Sequence, residues 1–218
     1  MSPIKPIVFF DFDNTITRGD VLDDLIVRYS RDDGWKRLES RWQKGEIGTL
    51  ECLDGQMRGI RISKSDLDTY LARIRLDPAF KKILALLRSR NIRTLILTDN
   101  FDYIVRRILR HHGITRVQVH ANRIRWQGQR LVPSFPFRSK TCATCAHCKR
   151  ESMRTCVGGH SMSVYVGDGL SDICAAQCAK LVFAKDNLLA YLRDRKMPHI
   201  PYKDLRDVHR YFKTNFHA

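Results

Sequence analysis

Two carboxylates two residues apart, Asp11 and Asp13, close a run of four apolar residues in the stretch IVFFDFDNTIT, Ile7 to Thr17. The apolar run reads as a strand buried on both faces, with Asp11-Phe12-Asp13-Asn14-Thr15 as its carboxyl end and exit loop. In open α/β sheets, chemistry sits at that end of the strands. Two carboxylates so close need a partner that keeps both ionised, and a hard cation taking oxygen ligands is the usual solution. One carboxylate can then attack an electrophile while its neighbour moves a proton. The same letters would also fit a buried strand that ends in an Asx-rich turn with no chemistry.

Three later segments repeat the pattern of an apolar strand or irregular stretch running into a polar loop. They are Thr94 to Asn100 (TLILTDN), a cysteine-rich loop ending at Lys149, and Ser163 to Asp172 (SVYVGDGLSD). Thr98 lies at a strand end, where its hydroxyl and the following amide of Asp99 can bind a phosphoryl oxygen. Gly167 and Gly169 let the chain turn sharply and bring Asp168 towards Asp11, while Asp172 follows near the start of a helix. A lysine near these carboxylates would neutralise their charge, and both Lys140 and Lys149 lie in the loop.

Taken in order, these four segments resemble the motifs of the haloacid dehalogenase superfamily of phosphatases: DxDx[TV], a Ser or Thr after a strand, a Lys, and GDGxxD. The resemblance covers most of the chain and is strongest towards the phosphoserine phosphatase-like subfamily and its methionine-salvage phosphatases, through Ser163 to Leu189 and the PHIPYKDL tail. It implies that Asp11 is the nucleophile, giving an aspartyl-phosphate, and that Asp13 is the general acid/base. It implies a Mg²⁺ ion bound by Asp11, the Asp13 backbone carbonyl and Asp168, with Asp172 reaching it directly or through a water. Phe12, Asp13, Thr98, Asp99 and Lys149 would contact the phosphate. Lys149 is favoured over Lys140, because related phosphatases carry a cysteine-rich stretch ending in Cys-Lys, as Cys148-Lys149 does. Where phosphoserine phosphatases commonly read Ser-Gly-Gly, this chain reads Thr98-Asp99-Asn100, which is bulkier and more acidic beside the phosphate.

Seven cysteines are present, at 52, 142, 145, 148, 156, 174 and 178. The odd number and the cluster CATCAHC argue for reduced thiols or a metal rather than a disulfide framework. Cys142, Cys145 and Cys148 have thiolate-site spacing, and Cys156, His147 or His160 would supply a fourth zinc ligand. Reduced cysteines packing an irregular loop are the alternative.

The elements that must position these groups follow from periodicity. Asp20 is a helix N-cap for Val21 to Tyr29, and helices follow over Trp35 to Lys44, Ile47 to Met57 and Ser65 to Ile74, punctuated by Gly34, Gly45, Gly55 and Gly59. The resemblance makes residues 18–78 a small α-helical cap inserted in a core of residues 1–17 and 79–218, where it would exclude water and select the leaving group. After Pro78 come a helix (Phe80 to Arg90), a buried strand (Ile92 to Leu97), a helix (Tyr103 to His112) and a β-ribbon over Val117 to Val132. A helix opens over Arg150 to Thr155, a strand covers Val164 to Val166, and a helix covers Ser171 to Cys178. The last elements are a strand (Leu181 to Ala184) and helices over Leu188 to Lys196 and Leu205 to Thr214. The expected fold is therefore α/β, a Rossmann-like doubly wound parallel sheet with a helical insert.

With 218 residues, 43% of them hydrophobic, the chain can bury one substantial core. No apolar run approaches the ~18 to 20 residues needed to span a bilayer, and the N-terminus places carboxylates where a signal peptide would be cleaved, so a cytoplasmic location is expected. The excess of 39 Lys and Arg over 23 Asp and Glu, net +16, favours anionic partners. Its dispersal along the chain reads as a solvated face rather than a nucleic-acid arm. The expected activity is Mg²⁺-dependent hydrolysis of a small phosphorylated metabolite, with phosphoryl transfer to an alcohol as one alternative. Nucleic-acid binding on a phosphatase-like scaffold is the alternative from another class.

Overall fold

A computed structural model describes residues 6–157 and 162–216. The apolar run expected at the N-terminus forms β1 (Ile7–Phe10), with all four residues buried. It lies at the centre of a seven-stranded sheet, between β2 (Arg93–Phe101) and β5 (Ser163–Gly167), and pairs in parallel with both. Beyond β2 come β3 (Gln118–Gln127), parallel to it, and β4 (Arg130–Ser134), antiparallel to β3. Beyond β5 come β6 (Leu181–Ala184) and a two-residue β7 (Ile200–Pro201), both parallel. The order is β4-β3-β2-β1-β5-β6-β7. This is the expected mostly parallel α/β sheet; β7 is too short to leave a periodic signature.

Between β1 and the core helix α5 (Ala79–Ser89) the chain forms α1 (Val21–Tyr29), α2 (Gly34–Gln43), α3 (Thr49–Gly59) and α4 (Lys64–Leu71), with no named strand among them. Asp20 caps α1 as expected, its carboxylate accepting the Asp23 N–H at 2.9 Å. Entry and exit of this segment meet at a bridge between Thr17 and Leu76, and the Arg18 N–H donates to the Arg75 carbonyl at 2.9 Å. Gly55 does not punctuate. It lies inside α3, where a Cβ would meet Leu38 Cδ1 of α2 at 2.7 Å, so its lack of a side chain lets the two helices pack closely.

The remaining helices are α6 (Asp102–His111), α7 (Lys149–Val157), α8 (Ile173–Ala176), α9 (Asp186–Asp194) and α10 (Leu205–Asn215). The helix expected over Ser171 to Cys178 is instead a 3₁₀ turn, Leu170–Asp172, followed by the short α8. Its tight entry is set by Asp172, whose Oδ2 accepts the N–H groups of Asp168 and Gly169, each at 3.0 Å.

Strand β1 divides its side chains between the two faces of the sheet. Val8 and Phe10 join the largest core cluster, with Phe80 and Ile83 of α5 and Phe212 of α10; Ile7 and Phe9 join a second one with Leu95, Leu97, Met153 and Tyr165. Phe10 meets Phe80 edge-on, ring centroids 5.5 Å apart. Phe10→Ala is therefore expected to cost about 3–5 kcal/mol, the range for emptying a buried aromatic site. A denaturant titration showing no fall in midpoint would contradict this packing.

Candidate active site

Most of the expected polar groups lie where parallel strands end. Asp11 and Asp13 follow β1, Thr98 to Asn100 end β2, Asp168 follows β5, and Lys149 begins α7. Lys149 is 2% exposed, and its Nζ donates to Asp11 Oδ1 at 2.6 Å, Asp172 Oδ1 at 2.7 Å and Ser171 Oγ at 3.2 Å. Burial opposes its charge, yet the Asp11 and Asp172 carboxylates outweigh that and raise the ammonium well above the ordinary lysine range. Lys140, the other lysine of the loop, is exposed.

The carboxylates are held individually. Asp168 Oδ1 accepts Thr15 Oγ1–H at 2.6 Å, and its Oδ2 accepts Asn14 Nδ2–H at 2.8 Å. Asn14 adopts φ 53°, a conformation that asparagine tolerates better than most residues. Asp172 is wholly buried: Tyr165 O–H donates to Oδ1 at 2.5 Å beside the Lys149 bond, and Oδ2 takes the two backbone amides. Burial raises the Asp11 carboxyl well above its ordinary value, with Asp172 adding to the effect and Lys149 opposing it. Burial likewise raises Asp168 to about 6, helped by Asp172.

Asp13 is set apart from the others by its partners. Its Oδ1 accepts the Val21 N–H at 3.0 Å and Asn100 Nδ2–H at 3.1 Å, and Oδ2 accepts the same amide at 2.9 Å. Asn100 is fully buried and its own carbonyl oxygen is fixed by the Phe101 N–H at 2.7 Å. Desolvation, followed by the charge of Asp20, raises the Asp13 carboxyl well above the usual range, with Asn100 and Val21 opposing. A carboxyl so raised is suited to carrying a proton.

Thr98 is 1% exposed, with Oγ1 accepting the Asn100 N–H at 3.0 Å. Its carbonyl accepts His147 Nδ1–H at 2.9 Å, while Ser152 Oγ meets His147 Nε2 at 2.7 Å. Burial pulls the imidazole down to about 3, so His147 is neutral and both of its nitrogens are engaged. Its backbone N–H also donates to Asp99 Oδ1 at 3.0 Å. The Phe12 ring is wholly buried in the main core, which restricts any contact with substrate to its main chain.

Among the described residues, the carboxylates of Asp11, Asp168 and Asp172 form the one group of three metal-capable side chains with ligand atoms within 4.8 Å of one another. The expected thiolate site does not assemble. Cys142 and Cys145 approach to 3.2 Å, but Cys148 is turned into the protein, His147 is committed to Thr98 and Ser152, and Cys156 packs beside the cluster of Ile7 and Phe9. His160 lies outside the described residues. Zinc is therefore not supported.

Sequence reasoning missed Asn14, Tyr165 and Ser171 as partners and took Asn100 only for bulk near the phosphate. The position of Asn100 carried a usable signal: it belongs to the same polar strand end as Thr98, in the run Thr98-Asp99-Asn100. No local signal marks the Tyr165 hydroxyl, because the residue reads as an ordinary strand aromatic.

Comparison with known proteins places the chain in a family and shows which folds it is similar to. The profile of the family described as haloacid dehalogenase-like hydrolase matches residues 8–177. The chain is 26% identical over 212 residues to a 2-hydroxy-3-keto-5-methylthiopentenyl-1-phosphate phosphatase of Bacillus pumilus, covering 94% of this chain and 89% of that protein. It is 25% identical over 211 residues to the bifunctional enzyme MtnB/MtnX of Bacillus licheniformis, covering 94% of this chain and about half, 49%, of that enzyme. A substrate-bound phosphoserine phosphatase superposes with a TM-score of 0.72 at 20% identity, over 95% of this chain and 98% of the other. A phospho-aspartyl intermediate analogue of phosphoserine phosphatase gives 0.73 at 20% identity, over 95% and 99%. With its strand-end carboxylates, buried lysine and sheet order all in place, the chain belongs to the haloacid dehalogenase-like hydrolase family.

Proposed function

We propose that the protein is a Mg²⁺-dependent phosphomonoesterase that hydrolyses a small phosphorylated metabolite through a phosphorylated Asp11. The observation that carries this reading is the contact of Lys149 Nζ with Asp11 Oδ1, which aims a buried cation at a strand-end carboxylate and leaves Asp11 Oδ2 without a hydrogen-bond partner among the described residues. The names of relatives and structural neighbours support the reaction class, phosphate ester hydrolysis. The donor set suits a hard divalent cation: buried carboxylates close together, with one lysine against several acids. Asp11, the Asp13 carbonyl and Asp168 would hold it. Asp172, each of whose oxygens already accepts two donors where each Asp168 oxygen accepts one, fits a role in orienting Lys149 and the Asp168 turn. When bound, Mg²⁺ supplies charge that offsets repulsion between the carboxylate and the phosphate dianion.

Asp11 Oδ2 attacks phosphorus, and the departing alkoxide takes the proton of Asp13. Asp13, now a carboxylate, accepts a proton from water as that water attacks the phosphorus of the aspartyl-phosphate, which releases phosphate and restores both carboxyls. Lys149 faces the charge that builds on Asp11 and the phosphoryl group, and Thr98 and the Asp99 amide stand at the strand end to receive a phosphoryl oxygen. Residues 18–78 act as a cap over this site, with Asp20 and Val21 beginning immediately beside Asp13.

Phosphate release from a panel of phosphorylated metabolites is expected to require Mg²⁺, to stop with EDTA, and to be abolished by Asp11→Asn in a folded protein. Release that persists in that variant would remove Asp11 from the mechanism. Lys149→Met leaves Asp11 and Asp172 unpaired, so a loss of about 3–5 kcal/mol in stability is expected by denaturant titration, with activity lower by about 10²–10³. Asn100→Ala removes the donor that would stabilise the Asp13 carboxylate as its proton leaves, a charge-assisted bond of about 1.5–3 kcal/mol. The expected result is a ten- to hundredfold loss in kcat/KM with alkyl phosphates and little loss in kcat/KM with p-nitrophenyl phosphate, whose leaving group needs no proton; hydrolysis of the aspartyl-phosphate is common to both. Equal losses with both would mean that Asn100 does not align the acid. Because Asp13 works in its protonated form and its pKa is raised, kcat/KM for alkyl phosphates should fall as pH climbs through that raised value. The p-nitrophenyl ester should lack this alkaline limb.

A further inference from the structure

The failed zinc site leaves Cys142 and Cys145 unexplained. Their sulfurs lie 3.2 Å apart in the loop between β4 and α7, both are partly exposed, and Cys142 Sγ also lies 3.5 Å from Thr144 Oγ1. The pair differs from the other thiols in lying sulfur to sulfur: Cys52 and Cys148 are buried and Cys178 is exposed, while Cys156 and Cys174, also partly exposed, have no thiol partner among the described residues. Partial burial works against a charge on Cys142, yet the Thr144 hydroxyl, the Cys145 thiol and the neighbouring amides bring it down to about 7. Cys145 is pushed up to about 12 by burial and by Cys142. One thiol is thus ready to attack and the other is held in reserve beside it.

The backbone between them touches the helical insert. The Thr144 carbonyl accepts the Leu50 N–H of α3 at 2.9 Å, and Gly48 approaches so closely that a Cβ there would meet the Thr144 oxygen at 2.6 Å. Three residues further on, the His147 amide holds Asp99. Bridging the sulfurs would shorten their separation to about 2.0 Å, a contraction that Ala143 and Thr144 must absorb.

We propose that Cys142 and Cys145 are a reversible thiol–disulfide modification site, oxidised by a small disulfide of the glutathione type, and that bridging them loosens the contact between Thr144 and the start of α3. The Cys142 thiolate attacks one sulfur of the oxidised glutathione and expels a glutathione thiolate, which takes a proton from water. With Cys142 now neutral, Cys145 loses its proton, attacks the Cys142 sulfur and expels the second glutathione. Two protein thiols become one disulfide while one glutathione disulfide becomes two thiols.

The test exposes the intact protein to oxidised glutathione, blocks remaining thiols by alkylation and locates the products by mass spectrometry. The expected product joins Cys142 to Cys145, lighter by two hydrogens, forms several-fold faster than any adduct at Cys178, and is reversed by reduced glutathione. Cys145→Ser should retain glutathione on Cys142, whereas Cys142→Ser should take none at Cys145. Both thiols remaining open to alkylation while Cys178 reacts, or a native protein that stops at the mixed disulfide, would overturn the site. Hydrogen exchange at the Leu50 amide should quicken several-fold in the oxidised form, and an unchanged rate would overturn the link to α3. None of these readouts depends on phosphatase activity.

Discussion

A single ammonium buried among carboxylates is the constraint on which the site depends. Lys149, 2% exposed, stands between Asp11 and the wholly buried Asp172, with Asp168 on the far side of the same turn. Removing ions from water costs several kcal/mol each, and this arrangement is tolerable only because nearly every oxygen has a donor. Tyr165, Thr15, Asn14 and two backbone amides complete the set of donors, while Ser171 Oγ accepts from the ammonium. The negative charge that remains unmatched is what a divalent cation would offset.

The sheet supplies the geometry. Because β1 lies between β2 and β5 with both partners parallel, three strand ends open on the same edge, and their exit loops meet without long excursions. Rigid strands, buried on both faces, then fix carboxylates that mutual repulsion would otherwise push apart. Lys149 arrives from α7 instead, and the loop before it is anchored by the Cys148 N–H to Phe137, by His147 to Thr98 and by the His147 amide to Asp99. The neutral imidazole of His147 is therefore a positional strut between the lysine loop and the carboxyl end of β2.

Much of this was legible in the sequence, for identifiable reasons. A doubly buried parallel strand leaves a run such as IVFF, and the charged residues that end it are visible because nothing else in such a strand is polar. Asp11, Asp13, Thr98, Lys149 and Asp168 could be named from that pattern and from the order of motifs. The partners of these groups were harder to see, since a hydrogen bond such as Tyr165 to Asp172 or Asn100 to Asp13 depends on register between distant segments. The thiolate reading failed for a related reason: spacing brings Cys142 and Cys145 together locally, but only tertiary packing decides that Cys148 turns inward. Gly55 was misread because close helix packing and a helix break both call for the same residue.

The most direct test of the central claim is to find the phosphoryl group on the protein. Acid quench during turnover, borohydride reduction of any acyl phosphate and peptide mass spectrometry would convert a phosphorylated Asp11 to homoserine at that position. Reduction at Asp11 alone, dependent on substrate and Mg²⁺, is the result predicted here. Steady turnover with Asp11 unmodified and the label on another side chain, or on none, would contradict covalent catalysis by this carboxylate.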